Sequence, residues 1–484
     1  MHSTPFFPSW RPFLAPAGSA LRQSFQQVQA CTLAQLEELF SSCLPKDLLA
    51  KTHQKQNSRD RLYTQRRTFW SFLWQCLNPQ SSCREVVRQI QALFTLGSGP
   101  RVSEANGAYC RARRRLPSQQ LAQALAATAA AVQRQGPKTD FLQGRPVKVV
   151  DGSTLTLPDT PANRTAYPIC KNSQSHAAFP MMRLVVVFCL ASGAILTVLS
   201  GDLRLSELRL FHQWMSQLAP KDIVLGDRGF GNFVIVSLLQ GLGIDFIGRS
   251  RRRVDGRRRR QRLGSNDWLV QWPRSVNPSA LLSPQAWAAL PTERTVRIVR
   301  GSLYRPGFRL RQLTLVTTLL EANLYPAQEI LRAYARRWRL EMCLDDLKTT
   351  LGMEMLRCKS PALVEKELWM YLLAHNLIRW VMAQAARTYT VALEPISFKG
   401  TVDALRQFSQ AMAQARSKRK RRRLWEELLR TIAADLVPQR PDRREPRAVK
   451  RKKNKYPRLN VPRSKFRDRL KRHVRRAKAR THNP

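Results

Sequence analysis

At 484 residues the chain is long for one hydrophobic core, and about two to four domains are expected. Its formal net charge of +50 and isoelectric point near 11.4 point to nucleic acid as a partner, with an anionic membrane surface as the rival. The longest apolar stretch, Leu184 to Ala191, is too short to span a bilayer, and the nine cysteines include no Cys-x-x-Cys pair and no set at zinc spacing, which excludes a structural zinc site.

Residues 21–135 read as helices. Leu33, Leu36, Leu39 and Phe40 form one apolar face, and Val86, Val87, Ile90, Leu93 and Phe94 another. After the break at Gly97 to Pro100, Ser103 is the expected N-cap of a helix that ends in a basic cluster at Arg111, Arg113, Arg114 and Arg115. Two helices with a basic second member resemble a helix-turn-helix, although a solvated face has the same pattern. The first 16 residues have no compact apolar core behind a basic start, so no signal peptide is expected and the chain should stay in the cytoplasm.

From Pro146 the texture turns to strands. Val147 to Leu157, Arg183 to Leu190 and Ile195 to Leu199 are β-rich, the last two forming a hairpin through Ala191 to Ala194. Helix patterning over Ser206–Leu218 and about Asn232–Leu242 alternates with strands at Ile223–Gly226 and Phe246–Gly248, which predicts a mixed sheet with helices against it. Residues 249–309 are rich in arginine (Arg251, Arg252, Arg253, Arg257 to Arg260) and carry Trp268, Trp272 and Trp287, and they read as an insertion. Leu310 to Thr317 restores a strand, and Pro326 opens a helix. Beyond it, Pro361 to Arg387 is a long apolar helix in which His375 and Asn376 read as core residues, and another helix follows near Thr401–Ala415. The densest basic runs of the tail, Arg416 to Arg423 and Lys450 to Lys455, suit backbone phosphates better than bases.

Two short apolar strands end next to aspartates, Asp151 after Val147-Lys-Val-Val and Asp227 after Ile223-Val-Leu-Gly, which is how carboxylates reach the rim of a sheet. In the helix after Pro326, Tyr334, Arg337, Glu341 and Lys348 fall within roughly 60° of one another at 3.6 residues per turn. Leu340, Leu344, Leu347 and Leu351 form an apolar stripe beside them. Three carboxylates from two strands and a helix can hold two Mg2+ ions about 4 Å apart for an in-line phosphoryl displacement. Each aspartate alone also fits a turn or cap, and Asp202, Asp222, Asp245 and Asp345 are rivals, Asp222 being better placed as a strand-start signal.

Asp151-Gly-Ser-Thr, Asp227-Arg-Gly-Phe and the set Tyr334, Arg337, Glu341 and Lys348 resemble the DDE transposases of bacterial insertion sequences, in insertion-sequence family four with its Tyr-Arg-Glu-Lys signature. The resemblance covers roughly residues 85–460, including Arg447 to Lys450. It implies an α/β fold: a ribonuclease-H-like mixed-sheet catalytic domain (141–248 and 310–390) with a mostly β, basic insertion (249–309). Helical DNA-binding regions would flank it, residues 1–140 before and a C-terminal helix and basic tail over 391–484 after.

By the same resemblance Asp151, Asp227 and Glu341 would be the catalytic metal ligands for Mg2+, with Mn2+ able to substitute. Tyr334, Arg337 and Lys348 would grip DNA phosphates, while the helix-turn-helix pattern, apart from the resemblance, makes Arg113, Arg114 and Arg115 candidates for DNA contact. The expected activity is cutting of the element's ends and joining of their 3′-OH groups to target DNA. The alternatives are a nuclease of the same fold without strand transfer, and an inactive DNA-binding copy. Expected partners are double-stranded DNA, as terminal inverted repeats and target, and a second protomer on DNA, in a bacterial cytoplasm at the nucleoid. Some relatives stack a flipped base on a tryptophan at the start of the strand before the signature helix. Here that strand begins Leu310-Arg-Gln312, and Trp268, Trp272 and Trp287 are either substitutes or insertion core.

Overall fold

The computed structural model describes residues 40–45, 47–49, 62–79, 81–96, 101–137, 142–168, 179–250, 259–302, 312–415, 417–438, 465–469 and 471–473. The apolar face at Leu33 to Leu39, arginines 251–253 and 257–258, the strand start at Leu310, and the basic stretch 447–455 lie outside them.

The N-terminal helices are α1 (Gln65–Leu77), α2 (Cys83–Leu96), α3 (Gly107–Arg115) and α4 (Ser118–Gln135). Thr64 caps α1 by accepting from the Arg67 amide at 3.2 Å, and the run Phe69, Trp70, Phe72, Leu73 turns inward. Ser82 and Glu85 open α2 as a reciprocal capping box: the Ser82 amide donates to Glu85 at 2.9 Å and the Glu85 amide to Ser82 Oγ at 3.2 Å. Ser103 is not a helix cap. Its Oγ accepts from the Ala105 amide at 3.3 Å, a local turn, and α3 begins only at Gly107.

The sheet starts with β1 (Val147–Thr156), β2 (Met181–Cys189) and β3 (Ile195–Gly201), the hairpin between the last two turning at Gly193 with φ +70°. Then come α5 (Glu207–Trp214), β4 (Ile223–Gly226), α6 (Phe233–Gly241) and β5 (Asp245–Arg249). β6 (Arg259–Gly264), β7 (Asp267–Pro273), β8 (Glu293–Gly301) and β9 (Leu313–Thr317) complete one nine-stranded sheet in the order β3-β2-β1-β4-β5-β9-β8-β7-β6. Strands of the arginine-rich segment therefore extend the central sheet, joined to it through β9. Both β1–β4 and β4–β5 are parallel, and the remaining pairs are antiparallel. The central strand β4 is apolar and buried throughout because both its faces are covered. Val149, Leu225 and Ile247 belong to the larger core, and their neighbours Val150, Val224 and Phe246 to the smaller one on the other face.

The chain closes with α7 (Ala327–Arg336), α8 (Trp338–Asp345), a π-helical turn (Asp346–Thr350), α9 (Pro361–Thr388), α10 (Phe398–Gln414) and α11 (Lys418–Ala434). α9 is the spine of the larger core. Within it Asn376 ties the helix to β3, accepting from the Ile195 amide at 2.8 Å and donating to the Ile195 carbonyl at 2.9 Å. His375 stacks on Phe398 with ring centres 5.2 Å apart, and burial pulls its pKa down to about 3, so both residues are structural. No helix among the described residues is long and apolar enough to cross a membrane.

Candidate active site

The site begins with a change of strand partners. β1 runs beside β4 only from Val147 to Val150, where Val150 faces Gly226. The next residue on each strand is an aspartate, so Asp151 and Asp227 leave the parallel pair side by side. Asp151 is not the end of its strand, however, because β1 continues to Thr156 against β2, with Asp151 opposite Val186. Its carboxylate accepts from the Gly152 amide at 3.0 Å. Asp227 Oδ1 accepts from the amides of Gly229 at 2.7 Å and Phe230 at 3.3 Å, which folds the turn after β4 around it.

The helix that begins the signature, α7, packs against β5 and β8 of the sheet. Further along the signature, Leu344, Leu347 and Leu351 are buried. Arg337, at the join of α7 and α8, lies between the carboxylates, its guanidinium 3.1 Å from Glu341 and 3.8 Å from Asp151. Burial pushes the Asp151 pKa up to about 6 against the pull of Arg337, and the charges of Asp227 and Glu341 add to the rise. The Arg337 guanidinium also stands 5.6 Å over the Tyr334 ring, whose buried hydroxyl has no hydrogen-bond partner of good geometry among the described residues.

Lys348 differs from its expected position on a regular helix. It lies in the π turn, where the Leu351 amide reaches back to the Asp346 carbonyl at 3.0 Å, and the wider turn rotates Lys348 away from the 3.6-residue register of the other three. Leu347 and Leu351, on either side of Lys348, are both completely buried.

Arg113 needs a larger correction. It is only 7% exposed, with its guanidinium over the rings of Phe72 and Tyr109 at 4.8 and 5.0 Å, and so it is not presented to DNA. Charge alone marked it as a surface residue, whereas the aromatic faces around it make a buried site for the ring-stacking guanidinium. Arg114 is exposed and Arg115 half-buried, both at the C-terminal end of α3, far along the chain from the carboxylates.

The rival carboxylates have structural partners. Asp222 pairs with Lys148 and accepts from the Ala219 amide at 2.7 Å, Asp202 with Arg204 at 2.9 Å, and Asp245 with Arg145 at 2.6 Å; Asp345 is exposed. Glu207, which the sequence did not single out, reaches the site from the first turn of α5. A Cβ at Gly152 would overlap its carboxylate, and Asp227 and Glu207 act on each other electrostatically. In sequence Glu207 follows the N-cap Ser206 and reads as a helix-start residue, so only the sheet reveals it. Trp272 packs against Phe233 at 6.0 Å, and Trp268 and Trp287 carry Arg300 and Arg274 over their rings; Trp287 is buried and the other two are half-buried.

Residues 142–377, which contain all three signature carboxylates, match the family model of the transposase DDE domain. The chain is 27% identical over 401 residues to the transposase InsG for insertion sequence element IS4 of Escherichia coli (strain K12), covering 80% of this chain and 85% of that protein. A solved piggyBac transposase synaptic complex with hairpin DNA aligns over 85% of each chain at 9% identity with a TM-score of 0.38, too loose a likeness to carry an argument. By the domain match over its site, residues 142–377 are similar to the transposase DDE domain, and along most of its length the chain is similar to a transposase of insertion sequence element IS4.

Proposed function

We propose that this transposase cuts the ends of its own mobile element and joins the freed 3′-OH ends to target DNA, using Mg2+ or Mn2+ at Asp151, Asp227 and Glu341 on a ribonuclease-H-like sheet. The observation that carries the reading is the meeting of Asp151 and Glu341 at one guanidinium, with Asp227 next in register to Asp151. The donor set fits a hard divalent cation: carboxylate oxygens from three separate elements, one of them desolvated and only partly neutralised. Among the described residues no three such side chains already stand close enough to hold one ion, so cation and Arg337 compete for the same carboxylates. When bound, the metal would supply Lewis-acid polarisation of the phosphodiester and a more acidic water.

The chain's own groups do the positioning. Arg337 offers a planar fork of donors to a phosphate oxygen, Tyr334 supports that guanidinium from below, and Lys348 adds a point charge one wide turn further on. Glu207 bounds the cleft on the Asp227 side. In this reading the helices of residues 1–140, with Arg114 and Arg115 at the end of α3, select the element end. The basic segment 249–309 and the tail 391–484 give salt-sensitive affinity for DNA backbones. Two protomers act on paired ends at the nucleoid.

The test is strand transfer. Protein incubated with a pre-cut element end, Mg2+ and a supercoiled plasmid should yield plasmid joined to the labelled end. Nicked plasmid with no joined label would reduce the activity to that of a nuclease.

A further inference from the structure

Among the described residues Arg113 is a buried cation with no carboxylate in hydrogen-bond contact, Glu367 acting on it only through its charge. Its polar contacts are Gln75 Oε1 at 3.5 Å and three sulfurs: Cys83 Sγ at 3.2 Å, Cys110 Sγ at 3.7 Å and Cys358 Sγ at 3.7 Å. Glu367, the carboxylate of the same core, accepts instead from the backbone amides of Arg357 and Cys358 at 2.9 and 2.8 Å. A guanidinium taken out of water is stabilised by an anion facing it, and the groups in direct contact with this one that can become anions are thiols. Cys358 is buried, whereas Cys83 and Cys110 are half-exposed, and their sulfurs converge on the same Arg113 nitrogen, close enough to act on each other. One proton shared between two sulfurs leaves the other sulfur free to ionise. The hydrogen bond from Cys83, with the charges of Arg113 and Arg111 added, holds the Cys110 thiol well below its ordinary range, and the same bond pushes Cys83 up.

We propose that Cys110 and Cys83 are an oxidisable pair, Cys110 the attacking thiolate and Cys83 the resolving thiol, with a hydroperoxide as the oxidant. The Cys110 sulfur attacks the peroxide, an S–O bond forms as the O–O bond breaks, and the departing hydroxide takes a proton to leave as water. Sulfur is oxidised to the sulfenic acid and the peroxide is reduced. The Cys83 sulfur then attacks the Cys110 sulfur: the S–S bond forms, the S–O bond breaks, and hydroxide leaves with the Cys83 proton as a second water. The disulfide ties the first residue of α2 to the middle of α3, fixing the angle between the two helices through which the chain is read to meet its element end.

The experiment uses the full-length protein, reduced and then freed of reductant. A short iodoacetamide pulse at pH 6.5 with peptide mass spectrometry compares Cys110 with Cys189, another half-exposed cysteine. Cys110 should alkylate at least about tenfold faster. One equivalent of hydrogen peroxide should then produce a linked peptide pair containing Cys83 and Cys110. In Cys83→Ser the fast alkylation should persist while dimedone captures the sulfenic acid at Cys110. Alkylation of Cys110 no faster than Cys189, or peroxide treatment that links neither cysteine to the other, overturns the proposal.

Discussion

Arg337 donates a charged hydrogen bond of 3.1 Å to Glu341 one helical turn further on. From the same position its guanidinium lies 3.8 Å from Asp151, so a single cation spans carboxylates delivered by the helix and by the sheet. Without it, two like charges would face each other in a half-buried cleft. Replacing Arg337 with methionine should therefore raise the proton affinity of Asp151. The acidic limb of the cleavage profile should move up by about one pH unit, with at least about a hundredfold loss of rate at neutral pH. A pH–rate profile of end cleavage checks this, and an unmoved limb would separate Arg337 from Asp151.

Burial, the largest influence on Asp151, pushes its pKa up to about 6, above the ordinary 3.8. A carboxyl raised in the folded state is a liability where it is charged: the penalty is full above about pH 6 and disappears as pH falls towards 3.8. Asp151→Asn should stabilise the protein by about 2–3 kcal/mol at pH 8 and by about half that at pH 5, while abolishing cleavage. Urea unfolding at the two pH values is the measurement. A variant less stable than wild type at pH 8 would mean that the carboxylate is not desolvated.

The same titration bears on activity. Below about pH 6 Asp151 carries a proton, and in the proposed role of metal ligand it would bind poorly, so cleavage should fall about tenfold per pH unit on that side. Raising the Mg2+ concentration should shift the limb to lower pH, since protons and metal compete for one carboxylate. A limb indifferent to Mg2+ would point to a different titrating group.

Gly152 has a backbone that any residue could adopt but no room for a side chain, because the Glu207 carboxylate lies where a Cβ would go. Gly152→Ala should displace Glu207 from the Asp227 side of the cleft and lower cleavage by about tenfold, and Glu207→Gln should have a comparable effect. Wild-type cleavage by both variants would leave Glu207 a bystander.

Arg297 is completely buried and pairs with Asp267 through bonds of 2.8 and 2.5 Å while donating to the Leu319 and Tyr325 carbonyls at 3.2 and 2.7 Å. This joins β7 and β8 to the chain that enters α7. Asp267→Ala leaves the cation unpaired and should cost about 3–5 kcal/mol in urea unfolding. A loss under 1 kcal/mol would show that water reaches Arg297.

The strands and the two helix-borne leucine positions were legible because their periodicity is set by local chemistry: Val147 to Val150, Ile223 to Gly226 and Leu344 with Leu347 each declare a buried face. Where a neighbour in space decides, the pattern is silent. β1 continues past Asp151 because β2 is longer than β4, and no residue near Asp151 says so. The π turn at Lys348 widens the helix where a 3.6-residue count keeps it regular. Arg113 and Glu207 fail for a shared reason: charge predicts exposure until aromatic rings, sulfurs or a glycine from distant segments enclose it.

The most direct test of the central claim is metal-dependent cleavage at the element boundary by wild-type protein and by Glu341→Gln. One labelled flank of the gene, carrying an inverted repeat, is incubated with Mg2+ and resolved on a denaturing gel. Wild type should cut at the repeat boundary only with Mg2+ or Mn2+, and Glu341→Gln should bind the same DNA yet cut at least about a thousandfold more slowly. Equal cutting by the two proteins, or cutting in the presence of a chelator, would contradict the assignment of Asp151, Asp227 and Glu341 as the metal-holding set.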